Sequence, residues 1–278
     1  MAASAVFGKF ANHLEAEILP SQPGIQLYTV GKELRNDAPG TMKELRSIGY
    51  IQVETAGMAG LTAKPFRAAL DAAGLKCNSS HFFNYNNPDP GPFLEDANTL
   101  GCHYVVMSVV NSYIKAPAGQ LPTPDNYKAM ADYFNQLGTK AKAAGLQLAY
   151  HNHSEEFKDL GGGKMGYDVL LEQTDPGLLK FELDCGWIVA GGQKPVDYFH
   201  RYPNRYKMIH VKDFILSPGH EPQGVVMGKG VIDYKPIFAA AKAAGVEQYY
   251  IEQEPPFIGT TALEASKLDY EYVRALNG

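Results

Sequence analysis

Five stretches of the chain repeat one pattern: an amphipathic helical run, a glycine, then a short apolar run. KELRSIGYIQVETAG carries its glycine at Gly49, RAALDAAGLKCNSSHF at Gly74 and EDANTLGCHYVVMSVV at Gly101. TKAKAAGLQLAYHNH and AAAKAAGVEQYYIEQE carry theirs at Gly145 and Gly245. A glycine just past a helix accepts the left-handed conformation that closes the last turn. The apolar run after it is too short for a helix and rich in Val, Ile and Tyr, so it reads as a buried parallel strand. Three more runs of this kind lack the leading glycine: GIQLYTV (24–30), LLKFELDCGW (178–187) and YKMIHVKDF (206–214).

Eight strands, each followed by helical or loop sequence, predict an α/β fold of the (β/α)8 TIM barrel type. The rival is a doubly wound open sheet, which announces itself by a Gly-rich phosphate loop after its first strand. LYTVGKELRND contains none. The Pro-rich stretches 84–92 and 116–126 each follow a predicted strand and read as loops over the active face. The predicted organisation is an N-terminal extension over 1–23 and a single barrel domain over 24–278.

The 278 residues suit one barrel, which typically takes about 250. A net charge of -5 argues against a nucleic-acid surface, which needs clustered Lys and Arg. Cys77, Cys102 and Cys185 are too few and too scattered for a disulfide framework and read as small buried side chains. No run reaches the roughly 18 apolar residues of a membrane helix, so no membrane partner is expected. The N-terminus lacks a basic region followed by a clean apolar run, so the expected compartment is the cytoplasm, or the periplasm if a leader has been removed.

In a barrel the C-terminal strand ends carry the chemistry. Strand one offers Gln26 and Tyr28, strand two Glu54, strand three His81, and strand four Ser108 and Asn111. Strands five to eight end in His151 and His153, Glu182 and Asp184, His210 and Lys212, and Glu252 and Glu254, with Glu155 and Glu156 just beyond strand five. Each pair is spaced by two, so both members face one side. Charge is expensive inside a barrel. Four adjacent strands ending in such pairs therefore predict one divalent metal ion, and imidazole with carboxylate suits manganese, zinc, cobalt or iron. Each residue has a plainer reading: an Asp at a strand end caps the next helix, a lone strand His is a hydrogen-bonded structural group, and Trp187 is packing before it is a substrate contact. His13, His103, His200 and His220 carry no argued role, and 160–168 reads as a flexible turn.

The runs AYHNHSEEF, FELDCGW, IHVKDF and YIEQE resemble the xylose isomerase-like barrels of the sugar phosphate isomerase/epimerase family, from about Gly24 to about residue 275. The resemblance implies metal ligands on strands five to eight, matching Asp184, His210 and Glu252, with His151 standing where the family has a glutamate. Epimerases of this kind use two glutamates on opposite faces, and His151 removes one of them. Glu252 remains a candidate base, and the second proton carrier is left open among His81, His153, Glu156 and Lys212. Gln26, Glu54, Glu156 and Trp187 are candidate substrate contacts. MGKGVIDY (227–234) resembles a loop that closes over substrate.

The expected function is a metal-dependent isomerase or epimerase acting on a small sugar or keto-sugar through an enediolate. A lyase or dehydratase eliminating a β-leaving group from the same site is the alternative. A DNA-repair endonuclease is disfavoured by the negative charge, and a non-catalytic sugar-binding barrel by the nearly complete ligand set. Homo-oligomerisation is left open.

Overall fold

The computed structural model of the chain describes residues 22–82, 89–108 and 122–276. Residues 1–21, Asn111 and most of the two Pro-rich loops lie outside the described residues. Eight parallel strands close a barrel: β1 (Gly24–Gln26), β2 (Gln52–Thr55), β3 (Lys76–Phe82), β4 (Tyr104–Met107), β5 (Gln147–His151), β6 (Leu179–Asp184), β7 (Tyr206–Val211) and, after a short hairpin of β8 (Asp213–Ile215) and β9 (Gln223–Val225), β10 (Gln248–Ile251). Neighbours follow chain order, and β10 closes the ring between β7 and β1. Around it lie α1 (Gly31–Asn36), α2 (Ala38–Ile48), α3 (Ala63–Ala73), α4 (Gly91–Leu100), α5 (Pro124–Ala143), α6 (Gly166–Gln173), α7 (Cys185–Ala190), α8 (Pro195–Arg201), α9 (Tyr234–Ala243) and α10 (Ala262–Leu276). This is the (β/α)8 barrel the pattern predicts. No helix among the described residues is long and apolar enough to cross a membrane.

The repeated glycines do what the pattern requires. Gly74 and Gly101 end α3 and α4 in the left-handed region, at φ 70° and 81°. Three strands stop earlier than their apolar runs suggest, two of them because a side chain begins a turn. The Gln26 side chain accepts from the Tyr28 N–H, and Leu27–Val30 coils into a 3-10 turn. Asp184 caps α7 by accepting the Trp187 N–H at 2.8 Å. After β7 the chain turns out into the hairpin of β8 and β9.

Period-two alternation sorts the side chains. Outward residues such as Leu148, Tyr150, Phe181, Leu183, Ile209, Val211, Tyr249 and Ile251 join the main core beneath the helices. Inward residues form two layers. Tyr104, Val106, Ala149, Met208 and Tyr250 make a separate apolar cluster inside the barrel. Gly24 is required there, because a Cβ on it would collide with the Tyr250 ring. One step further along the strands the inward residues turn polar, giving Glu54, His81, His151, Glu182, Asp184, His210 and Glu252, all buried.

Candidate active site

The polar layer floors a cavity of about 200 Å³ lined by Gln26, Tyr28, Ala56, His81, Ser108, His151, His153, Glu252 and Glu254. It opens at the C-terminal strand ends, where barrels of this type carry their chemistry. Its size falls below the roughly 300–1,000 Å³ of drug-sized sites and suits one small ring.

Asp184, His210 and Glu252 present ligand atoms that all lie within 4.8 Å of one another. His210 Nδ1 stands 3.1 Å from Glu252 Oε2 and 3.8 Å from Asp184 Oδ2. His151 reaches this group through Nε2, 3.7 Å from Asp184 Oδ2. A tetrahedral ion with ligands at about 2.0–2.1 Å sets them about 3.3 Å apart, so these separations bracket a coordination shell. Asp184 Oδ2 is buried without a well-directed hydrogen bond. The donor set is nitrogen and oxygen, with no thiolate, which suits a divalent transition ion. The cluster can therefore hold a metal, and it uses the residues the sequence singles out.

A second group lies deeper. His81, His151, Glu182 and His210 also bring ligand atoms within 4.8 Å of one another. Glu182 Oε2 meets His81 Nε2 at 2.9 Å, His151 Nδ1 at 3.0 Å and His210 Nε2 at 3.2 Å. Glu54 Oε2 meets His210 Nε2 at 2.5 Å, His81 Nε2 at 3.1 Å and Gln26 Nε2 at 2.8 Å. Ser79 donates to the other Glu54 oxygen at 2.5 Å.

Lys212 supplies the balancing charge. Its ammonium lies 2.8 Å from Asp184, 2.5 Å from Glu252 and 2.7 Å from Glu254. Gly186 makes room for its stem, since a Cβ there would strike Lys212 Cγ.

The protonation pattern follows. Burial disfavours charge on Glu252, but Lys212 and His210 outweigh it and hold the carboxyl well below its ordinary range. Glu54 is held down likewise by His81 and His210 against burial. Burial and the neighbouring Glu54 charge push Glu182 up to about 7. Burial lowers His81, yet Glu54 and Glu182 carry it up to about 9. Burial, with the cations at His210 and His81, pushes His151 well below the usual imidazole range, so its ring is neutral.

Burial and partners distinguish the remaining predicted site residues. Glu54 and Glu156, expected as substrate contacts, are fully buried. Glu54 serves the inner histidines, while Glu156 accepts from the Tyr150 hydroxyl at 2.5 Å and the His153 N–H at 3.1 Å. Lys212, expected to be catalytic, is enclosed by carboxylates. Trp187 donates its indole N–H to Glu254 at 2.9 Å and packs on Phe214. Gln26, His81, His153 and Glu252 do face the cavity. The loop expected to close over substrate is tied down: Asp213 accepts from the N–H groups of Gly228, Gly230 and Ile232, and Asp269 from Met227. Sequence reasoning counted Glu182 among the paired strand ends without assigning it a task of its own, and gave no role to Asp213. Glu182 carried a signal, the period-two spacing with Asp184. Asp213 carried a weaker one, an acid shortly before two closely spaced glycines.

Residues 42–269 match the family model of the xylose isomerase-like TIM barrel. An inosose dehydratase of Geobacillus thermodenitrificans (strain NG80-2) is 26% identical over 251 residues, covering 77% of this chain and 82% of that protein. A sugar phosphate isomerase/epimerase from Parabacteroides distasonis ATCC 8503 superposes with a TM-score of 0.75 at 29% identity, over 91% of this chain and 93% of the other. A protein called IOLI, solved with a zinc atom bound, shares the fold at a TM-score of 0.68 and 17% identity, over 92% and 97% of the two chains.

Proposed function

We propose that this chain, which belongs to the xylose isomerase-like TIM barrel family, is a lyase that eliminates a β-leaving group from a cyclic keto-sugar such as an inosose. The carrying observation is the state of the cavity carboxylates. Glu252 and Glu254 both hold the Lys212 ammonium, and Glu252 also contacts His210. Neither is a ready base, and His151 occupies the position where an epimerase would place its other glutamate. A reversible epimerisation needs two proton carriers on opposite faces of the substrate. An elimination needs one base at the α-carbon and one proton for the departing group.

His153 fits the base. It lines the cavity, is half-buried, and its Nδ1 is without a hydrogen-bond partner. Its backbone is fixed by Glu156, and its ring stands 5.7 Å from Trp187 and 5.1 Å from His151. His81, carrying a proton between Glu54 and Glu182, fits the acid that protonates the leaving oxygen. Gln26 and Ser108 offer hydrogen bonds to ring hydroxyls. His151, Asp184, His210 and Glu252 would hold a divalent ion, which when bound polarises the substrate carbonyl and acidifies the neighbouring C–H. The inosose dehydratase relative supports this reading over isomerisation.

The isomerase or epimerase reading stays as the second, favoured by the likeness to the Parabacteroides protein. Incubation with inososes, keto-glycosides and ketoses in deuterated water separates the two. A lyase yields an unsaturated or diketone product. Deuterium incorporation into an intact, interconverted sugar without elimination refutes the lyase assignment.

A further inference from the structure

We infer that Glu54 and Glu182 are positioning residues that fix which ring nitrogen of His210 and of His151 faces the cation site. The inference rests on reading Asp184, His210, Glu252 and His151 as a metal centre, and it extends that reading one layer inward.

Each of the two imidazoles stands between the two groups, with one nitrogen on either side. His210 turns Nδ1 to Glu252 and Asp184, at 3.1 and 3.8 Å, and Nε2 to Glu54 and Glu182, at 2.5 and 3.2 Å. His151 turns Nε2 to Asp184 at 3.7 Å and Nδ1 to Glu182 at 3.0 Å. A nitrogen that binds a cation carries no proton, so the proton of a neutral ring sits on the other nitrogen and needs an acceptor. In both rings the far nitrogen meets a buried carboxylate oxygen. The two histidines thus use opposite nitrogens towards the cation, Nδ1 in His210 and Nε2 in His151. The acceptors are themselves held. Gln26 and Ser79 pin the two Glu54 oxygens, and His81 Nε2 links Glu54 to Glu182.

The inner group could instead be a second cation site, and its pairing argues against that: Glu54 and Glu182 already take up the inward nitrogens of His81 and His210 at hydrogen-bond lengths. One oxygen, Glu182 Oε2, serves three histidines at once. That is a proton-accepting hub.

The test reads binding and tautomer, and needs no turnover. The full chain is stripped of metal and titrated with zinc against a competing chelator, as wild type and as Glu54→Gln and Glu182→Gln, which keep side-chain volume. Each variant is expected to lose about 10- to 100-fold in zinc affinity, the usual effect of removing such a partner. Histidine-labelled NMR of zinc-loaded wild type, which does not depend on either variant folding, is expected to place the remaining proton on Nε2 of His210 and on Nδ1 of His151. Reversed tautomers, a second tightly bound zinc per chain, or unchanged affinity in both variants overturns this inference and leaves the metal centre standing. A wild-type chain that takes up no zinc overturns both.

Discussion

Replacing Lys212 by methionine separates the charge-balancing role of that residue from the shape of the site. Methionine keeps an unbranched stem beside Gly186 and removes only the ammonium, which is 2% exposed and contacts Asp184, Glu252 and Glu254. Without metal, Asp184 and Glu252 are left buried and facing one another beside the half-buried Glu254. Removing one partner of a buried ion pair costs about 3–5 kcal/mol. For a domain of this size a loss of 1 kcal/mol lowers the melting temperature by roughly 2–4 °C. The metal-free variant is therefore expected to melt roughly 10 °C below wild type. A divalent cation at the same oxygens replaces the lost charge, and at a hundredfold excess over its Kd it returns about 2.7 kcal/mol. The variant should thus recover more than half of its deficit on addition of zinc or manganese. Wild type, whose ammonium competes for those oxygens, should gain less. Thermal melts of both proteins, each with chelator and with saturating cation, read this directly. A variant as stable as wild type under chelation refutes the charge argument. A variant that gains no more from the cation than wild type refutes the shared position of ammonium and metal.

His153→Ala is expected to lower kcat by about 10²–10⁴-fold, the usual contribution of a positioned base, with solvent deuterium exchange at the substrate lost in parallel; steady-state kinetics with an inosose checks it. Asp269 is pushed up to about 7, chiefly by burial. Its native form therefore binds a proton that the unfolded chain has released, and this contribution to stability falls as pH rises from about 4 to about 7. Asp269→Asn keeps the acceptor for the Met227 N–H and should melt higher than wild type at pH 8, with the gap closing towards pH 4. Gly24→Ala places a methyl group in the Tyr250 ring and should cost about 1–3 kcal/mol as overpacking, read as a lower denaturant midpoint with an unchanged slope.

The barrel and the outer half of its site are legible in the chain because both rest on local periodicity. Alternation by two along β5, β6, β7 and the end of β10 places both members of each pair on the inward face whatever the loops do, and the choice of His151, Asp184, His210 and Glu252 among them comes from the family resemblance. What the sequence does not carry is partnership across the barrel. Glu54, Ser79, His81, Glu182 and His210 come from β2, β3, β6 and β7, and no spacing along the chain says that Glu54 Oε2 ends 2.5 Å from a ring 156 residues away. The partners of Lys212 are hidden for the same reason. A lysine two places after a histidine reads as a free catalytic cation until Asp184, Glu252 and Glu254 are seen around it. Asp184 satisfies both of its readings at once, since one oxygen caps α7 while the other faces the cation site. The 227–234 loop resembles a closing lid by its glycines, and only the four N–H groups gathered by Asp213 and Asp269 reveal an anchored segment.

The apolar cluster of Tyr104, Val106, Ala149, Met208 and Tyr250 makes the chamber a dead end. Whatever enters at the strand tips must leave the same way, past whatever has not yet left. For an elimination this imposes an exit queue, in which whichever fragment is released last holds the chamber and should behave as a simple competitor of substrate.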